Sequence, residues 1–135
     1  MGDALQVLIV NFDEDDVKAM QKHFDDSDWF FFADTADGEG EAIEKAKTIM
    51  PELVIINITE DEEVGMRTIR QICADASADM PPFFITALYT DEPNSRKNPY
   101  TRELAALDGL FLPRYGVNHD VTDIIEMANE MAAYI

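Results

Sequence analysis

Residues 51–63 read PELVIINITEDEE. Leu53, Val54, Ile55, Ile56 and Ile58 form a short β-branched run behind a proline, the mark of a strand buried on both faces of a parallel sheet. Such a strand needs helices above and below it. At its carboxyl end stands Asn57, followed by the acids Glu60, Asp61, Glu62 and Glu63. In open α/β sheets the functional crevice lies outside the carboxyl ends of the strands, so the chemistry open to Asn57 bounds the function.

Outward from this stretch, strand and helix patterns alternate. Residues 5–10 form a second apolar strand that ends at Asn11. Behind the acids Asp13, Glu14, Asp15 and Asp16, the spacing of Val17, Met20 and Phe24 predicts a helix with carboxylates in its first turn. A strand is expected over 29–33. An amphipathic helix comes next over 38–50, with Ala42, Ile43, Ala46, Ile49 and Met50 inward, stopped by Pro51. Val64, Ile69, Ile72, Cys73 and Ala76 carry the next helix, and 83–86 the next strand. Residues 89–100 read as loop, 101–107 as a short helix, 109–112 as a fifth strand and 113–116 as a turn. A closing helix spans 118–135 with Asn118 as N-cap and Val121, Ile124, Ile125, Ala128 and Ala132 inward. Five strands alternating with five helices predict a doubly wound parallel α/β sheet, and one domain fills residues 1–135.

The chain carries 28 acidic against 10 basic residues, a net charge of −18. Nucleic acid and anionic membrane are thereby excluded as direct partners, because their phosphates would be repelled. A basic protein surface is the natural complement; solubility or life in a salty cytoplasm is the alternative reading of the same charge. The lone cysteine, Cys73, allows no internal disulfide, and residues 1–10 lack the basic start and length of a signal peptide, so a cytoplasmic location is expected. Glu60 to Glu63 lack the spaced ligands and turn glycine of a calcium loop, and His23 and His119 stand alone, so no metal is expected. The acidic loops offer no glycine-rich cradle for a flavin phosphate, and no cofactor is expected. Nothing forms a catalytic constellation, so the chain reads as a non-enzyme.

VLIVNFDEDD, ADGEGEAIEKAKTIMPELVIINI, PPFFITA and LDGLFLPR resemble, in order and spacing, the receiver domain of two-component response regulators. The resemblance implies a flavodoxin-like fold with strand order 2-1-3-4-5. It further implies an aspartate phosphoacceptor ending strand three, an acidic pair for Mg²⁺ after strand one, a Thr or Ser ending strand four, an aromatic in strand five and a Lys beyond it. Carried over, the acceptor falls on Asn57. The acidic pair falls on Asn11 and Phe12, or on Phe12 and Asp13, depending on whether strand one or the first helix sets the register. Thr86 matches the hydroxyl, Phe111 the aromatic and Arg114 the lysine. Tyr115 replaces the usual following proline, and Pro113 stands on the other side.

The chemistry of these replacements can be derived without the family. An acyl phosphate requires an ionised carboxylate as nucleophile, and the amide of Asn57 carries neither charge nor acidic proton. Mg²⁺ wants anchoring carboxylates, and Asp13 is the only candidate anion. Like charges about 4 Å apart repel by roughly 1–4 kcal/mol, so their loss favours one metal-independent conformation, with Arg114 bonded to Asn57 or Asp13. The expectation is a degenerate receiver, or pseudo-receiver, acting as a phosphorylation-independent protein-interaction module in two-component signalling. The alternative keeps phosphotransfer on Asp13. For Asn57 the plainer reading is a polar strand-end cap. Thr86 with Phe111 is either a residual switch or static packing. By resemblance the surface of the 101–107 helix, strand five and the last helix is where receivers pair with partners or each other. Tyr100, Leu104, Tyr115 and Tyr134 are its candidate residues.

Overall fold

Strand propensity and helical periodicity produce an alternating chain, and in a computed structural model that describes residues 4–58, 62–75, 82–88, 115–118 and 121–133 the alternation is realised. In order the elements are β1 (Leu5–Val10), α1 (Glu14–Asp25), β2 (Phe30–Ala36), α2 (Glu39–Ile49), β3 (Leu53–Asn57), α3 (Glu62–Asp75), β4 (Phe83–Leu88), β5 (Tyr115–Asn118) and α4 (Val121–Ala133). The sheet runs β2-β1-β3-β4-β5 and every pairing is parallel. The expected helix over 101–107 lies outside the described residues.

Alternation along the central strands sends successive side chains to opposite faces, and both faces are covered. Val7, Ile9, Leu53, Ile55, Ile85 and Ala87 meet Met20 and Phe24 of α1 and Ile124, Ala128, Met131 and Ala132 of α4. Leu8, Val10, Val54, Ile56 and Phe84 meet Ala42 and Ala46 of α2 and Met66, Ile69 and Ile72 of α3. Each large apolar side chain so buried stabilises the fold by about 1.5–3 kcal/mol before chain entropy is subtracted.

Four local expectations are corrected. The second strand runs on to Ala36 instead of stopping at residue 33, because Ala33 is skipped in the ladder: Phe32 pairs with Val7 and Asp34 with Leu8. This bulge reverses the facing of the residues beyond it. Phe30 belongs to the layer under α1, while Ala36 belongs to the layer under α2. Met50 is 64% exposed, not inward, and leaves α2 with a left-handed φ of 54°; Pro51 disfavours the right-handed helical conformation in the residue before it. Glu62 and Glu63 begin α3 instead of extending the acidic loop. The fifth strand is Tyr115–Asn118, where a turn and an N-cap were expected. The strand expected over 109–112 lies outside the described residues; Ile85 to Leu88 pair with 115–118, although Gly116 and Asn118 are poor strand formers.

Candidate functional site

β1, β3 and β4 end side by side, and the residues marked from the sequence on these strands converge there. Asn57 is the last residue of β3, half-buried, in register with Ala87 of β4. The next N–H, of Ile58, donates to the Ala87 carbonyl at 3.1 Å and holds the two strand ends together. Thr86 is fully buried beside Ile56.

The three residues after β1 go three separate ways. Asn11 adopts a φ of 65°, in the left-handed region that asparagine tolerates better than other side chains. Its N–H donates to the Ala36 carbonyl at 2.9 Å, and its Oδ1 accepts the Gly38 N–H at 2.7 Å. It thereby ties the loop after β1 to the start of α2. Phe12 is only 6% exposed and packs into the layer under α1 and α4. Asp13 is exposed and is the N-cap of α1, where its Oδ1 accepts the Asp16 N–H at 2.9 Å. Glu14, Asp15 and Asp16 fill the first turn, where the helix dipole favours them.

The rim carries one ion pair that sequence reading missed. Arg67 of α3 grips Glu39 of α2 with both ends of its fork, Nε to Oε2 at 2.5 Å and Nη2 to Oε1 at 3.1 Å. The Arg67 hydrogen bonds hold the Glu39 carboxyl below its usual range. Glu39 starts its helix and Arg67 lies in the second turn of its own, so the pair joins the two helix starts beside the crevice. Their separation of 28 positions left no local signal. Close by, Gly65 lets α3 approach the end of β3: a Cβ there would fall on Ile58 Cγ2 and lie 2.6 Å from its Cβ. Among the described residues no group of three or more His, Cys, Asp or Glu is placed to hold a metal ion.

Phe111, Arg114, Tyr100, Leu104 and Tyr134 lie outside the described residues, and for Tyr115 only the backbone is described, in β5. Arg114 precedes β5, however, and the residue next after its carboxyl end at Asn118 is His119. His23 contacts Asn129 of α4, Nε2 to Oδ1 at 3.2 Å, and serves helix packing.

No protein-family model and no curated protein sequence matches the chain. Solved structures do. The response regulator domain of Thermotoga maritima CheB aligns with a TM-score of 0.72 at 16% identity, over 97% of this chain and 95% of that one. The receiver domain of the putative response regulator NarL from Mycobacterium tuberculosis gives 0.65 at 13%, over 98% of each chain. A chain of the R. sphaeroides complex between CheY6 and the P1 domain of CheA3 gives 0.61 at 17%, over 98% of this chain and 97% of that one. At such identities the likeness is one of fold: the chain has the flavodoxin-like architecture of response regulator receiver domains.

Proposed function

We propose that this chain is a receiver-like signalling module that works through protein contacts without being phosphorylated, a non-enzymatic pseudo-receiver. The observation that carries the reading is the fate of the residues at the strand ends. The acceptor position holds an amide, Asn57, which cannot act as the nucleophile. Asn11 is engaged with Gly38, Phe12 is part of the core, and Asp13 caps α1. The Mg²⁺ that normally supports such phosphotransfer would find, among the described residues, no group of three or more acids or other ligands placed to hold it. A net charge of −18 directs the module toward basic protein surfaces in the cytoplasm. A protein-bound relative of the same fold, CheY6 with the P1 domain of CheA3, makes a protein partner the natural target. Pairing of two copies through the helix expected over 101–107, the fifth strand and the last helix is the homodimeric version of the same idea, and light scattering across concentration tests it.

The test is intact-mass measurement after incubation with Mg²⁺ and acetyl phosphate. The expected result is an unchanged mass and an amide NMR spectrum that Mg²⁺ does not move. A stoichiometric phosphoryl adduct overturns the proposal. If that adduct maps to Asp13, the competing reading is correct, in which this exposed carboxylate is the acceptor and gives up its cap on α1.

A further inference from the structure

Among the described residues, Trp29, Phe31 and Met50 are the large apolar side chains that stand exposed, at 64, 58 and 64%. All three lie at the amino-terminal end of the parallel sheet, opposite the crevice. Trp29 immediately precedes β2, Phe31 is its second residue, and Met50 leaves α2 just ahead of β3. Phe31 is in register with Gln6 of β1. Gln6 in turn is clamped to Glu52: its N–H donates to Glu52 Oε2 at 2.6 Å and its carbonyl accepts the Glu52 N–H at 3.0 Å. One strand, β1, thus separates Phe31 from the segment that comes after Met50.

β2 is also an edge strand. The Trp29 carbonyl accepts from Leu5 N–H at 2.9 Å, which turns that residue toward β1. Strand alternation then turns the backbone N–H and C=O of Phe30, a residue 4% exposed, and of half-buried Phe32 away from β1. Proteins blunt such edges with bulges and charges, and β2 does so only in its second half. The bulge falls at Ala33. Beyond it Lys45 donates to the Thr35 carbonyl at 2.6 Å and pairs with Asp34 at 3.2 Å. Ahead of the bulge no described residue covers the edge in this way.

The charge around the open half selects the occupant. Among the described residues Asp25, Asp26, Asp28 and Glu52 are exposed at this end of the sheet, against Lys22 in the last turn of α1 and Lys47 in the last turn of α2, the latter paired with Asp75 at 3.5 Å. Two copies joined edge to edge would set these carboxylates against each other in chains that each carry −18. We infer that the free edge of Phe30 to Phe32, flanked by Trp29 and Phe31, is a docking strand. Its occupant is a short extended segment of another protein in which Lys or Arg alternates with apolar residues. Backbone pairing would supply affinity, while the two aromatic side chains and the acidic rim supply specificity. The inference rests on the interaction-module reading and gives it a surface distinct from the crevice.

Trp29 is the only tryptophan in the chain, so its emission reports directly on this edge. The probe is a synthetic peptide of alternating lysine and valine, titrated into the full chain. The expected result is a saturable change in Trp29 emission, with slowed hydrogen exchange at the Phe30 and Phe32 amides. Phe31→Ser and the double change Asp26→Asn with Asp28→Asn should each weaken binding about tenfold, and a glutamate-valine peptide should have no effect. No saturable change, or binding that survives Phe31→Ser, overturns the inference. Emission that depends on protein concentration alone assigns the edge to a second copy and also overturns it. These outcomes are independent of the phosphoryl-adduct measurement, so failure here is distinguishable from failure of the interaction-module reading.

Discussion

Asn11 Oδ1 accepts the Gly38 backbone N–H at 2.7 Å, across 27 positions of sequence, from a backbone held at a φ of 65°. At a place where the receiver resemblance calls for a metal-binding acid, the chain has a polar lock between two crevice loops. An asparagine here accepts one neutral hydrogen bond and tolerates the left-handed turn, so the position is served without charge.

Asn11→Ala should destabilise the fold by about 2–3 kcal/mol, the sum of the lost bond and the cost of holding alanine in left-handed backbone. Asn11→Gly loses only the bond and should cost about 1 kcal/mol. Urea unfolding of both variants checks this. Equal losses would remove the strain half of the explanation.

Restoring receiver chemistry should take more than one substitution. Asn57→Asp alone should acquire no Mg²⁺-dependent adduct from acetyl phosphate, since among the described residues no group of acids is placed to hold the ion. Phe12→Asp, which would supply one, should cost about 3–5 kcal/mol because it removes a ring packed into the core and buries a charge. Mass spectrometry of the first variant and thermal unfolding of the second test the two halves separately.

Stability should fall at both ends of the pH scale through identifiable pairs. The Thr35 N–H, at 2.7 Å, and Lys45 hold the Asp34 carboxyl below its ordinary 3.8, and Arg67 holds Glu39 below 4.5. Their folded values are depressed, so their contribution is complete above the ordinary values and is lost as pH falls through the lowered ones. Lys45 behaves oppositely. Asp34 and then Glu41 raise it above 10.5, so its contribution is complete below that value and is lost as pH rises through the raised one. Urea midpoints measured against pH should show the acid loss reduced in Arg67→Met and both losses reduced in Lys45→Met. Comparing each variant with the parent cancels the general relief of negative charge in acid. Because these groups are partly exposed, added salt should shrink the differences.

Gly65→Ala should destabilise by about 1–3 kcal/mol, although alanine in an exposed helix interior would gain about 1 kcal/mol. The overlap with Ile58 forces α3 away from the end of β3. Calorimetry of this variant beside Gly40→Ala, where nothing lies within 4 Å of the added Cβ, isolates the steric part.

Much of the fold is legible in the chain because burial and periodicity are local properties. The apolar runs ending at Val10 and Ile58 had to be central strands. Ala42 and Ala46, or Ile124 and Ala128, repeat at the helical period, and the layers they form are those expected from it. The amide at Asn57, which cannot itself form an acyl phosphate, is likewise a matter of sequence alone. Tertiary structure decided what depends on partners distant in the chain. The skipped Ala33 lets β2 run to Ala36, and the ladder with β4 takes in Tyr115–Asn118 despite the weak strand propensity of Gly116 and Asn118. Phe12 turns into the core while Asn11, one residue earlier, reaches Gly38. A sequence pattern records which residues gain by leaving water. It does not record which backbone group a given donor or acceptor will find, because that is set by how the elements meet.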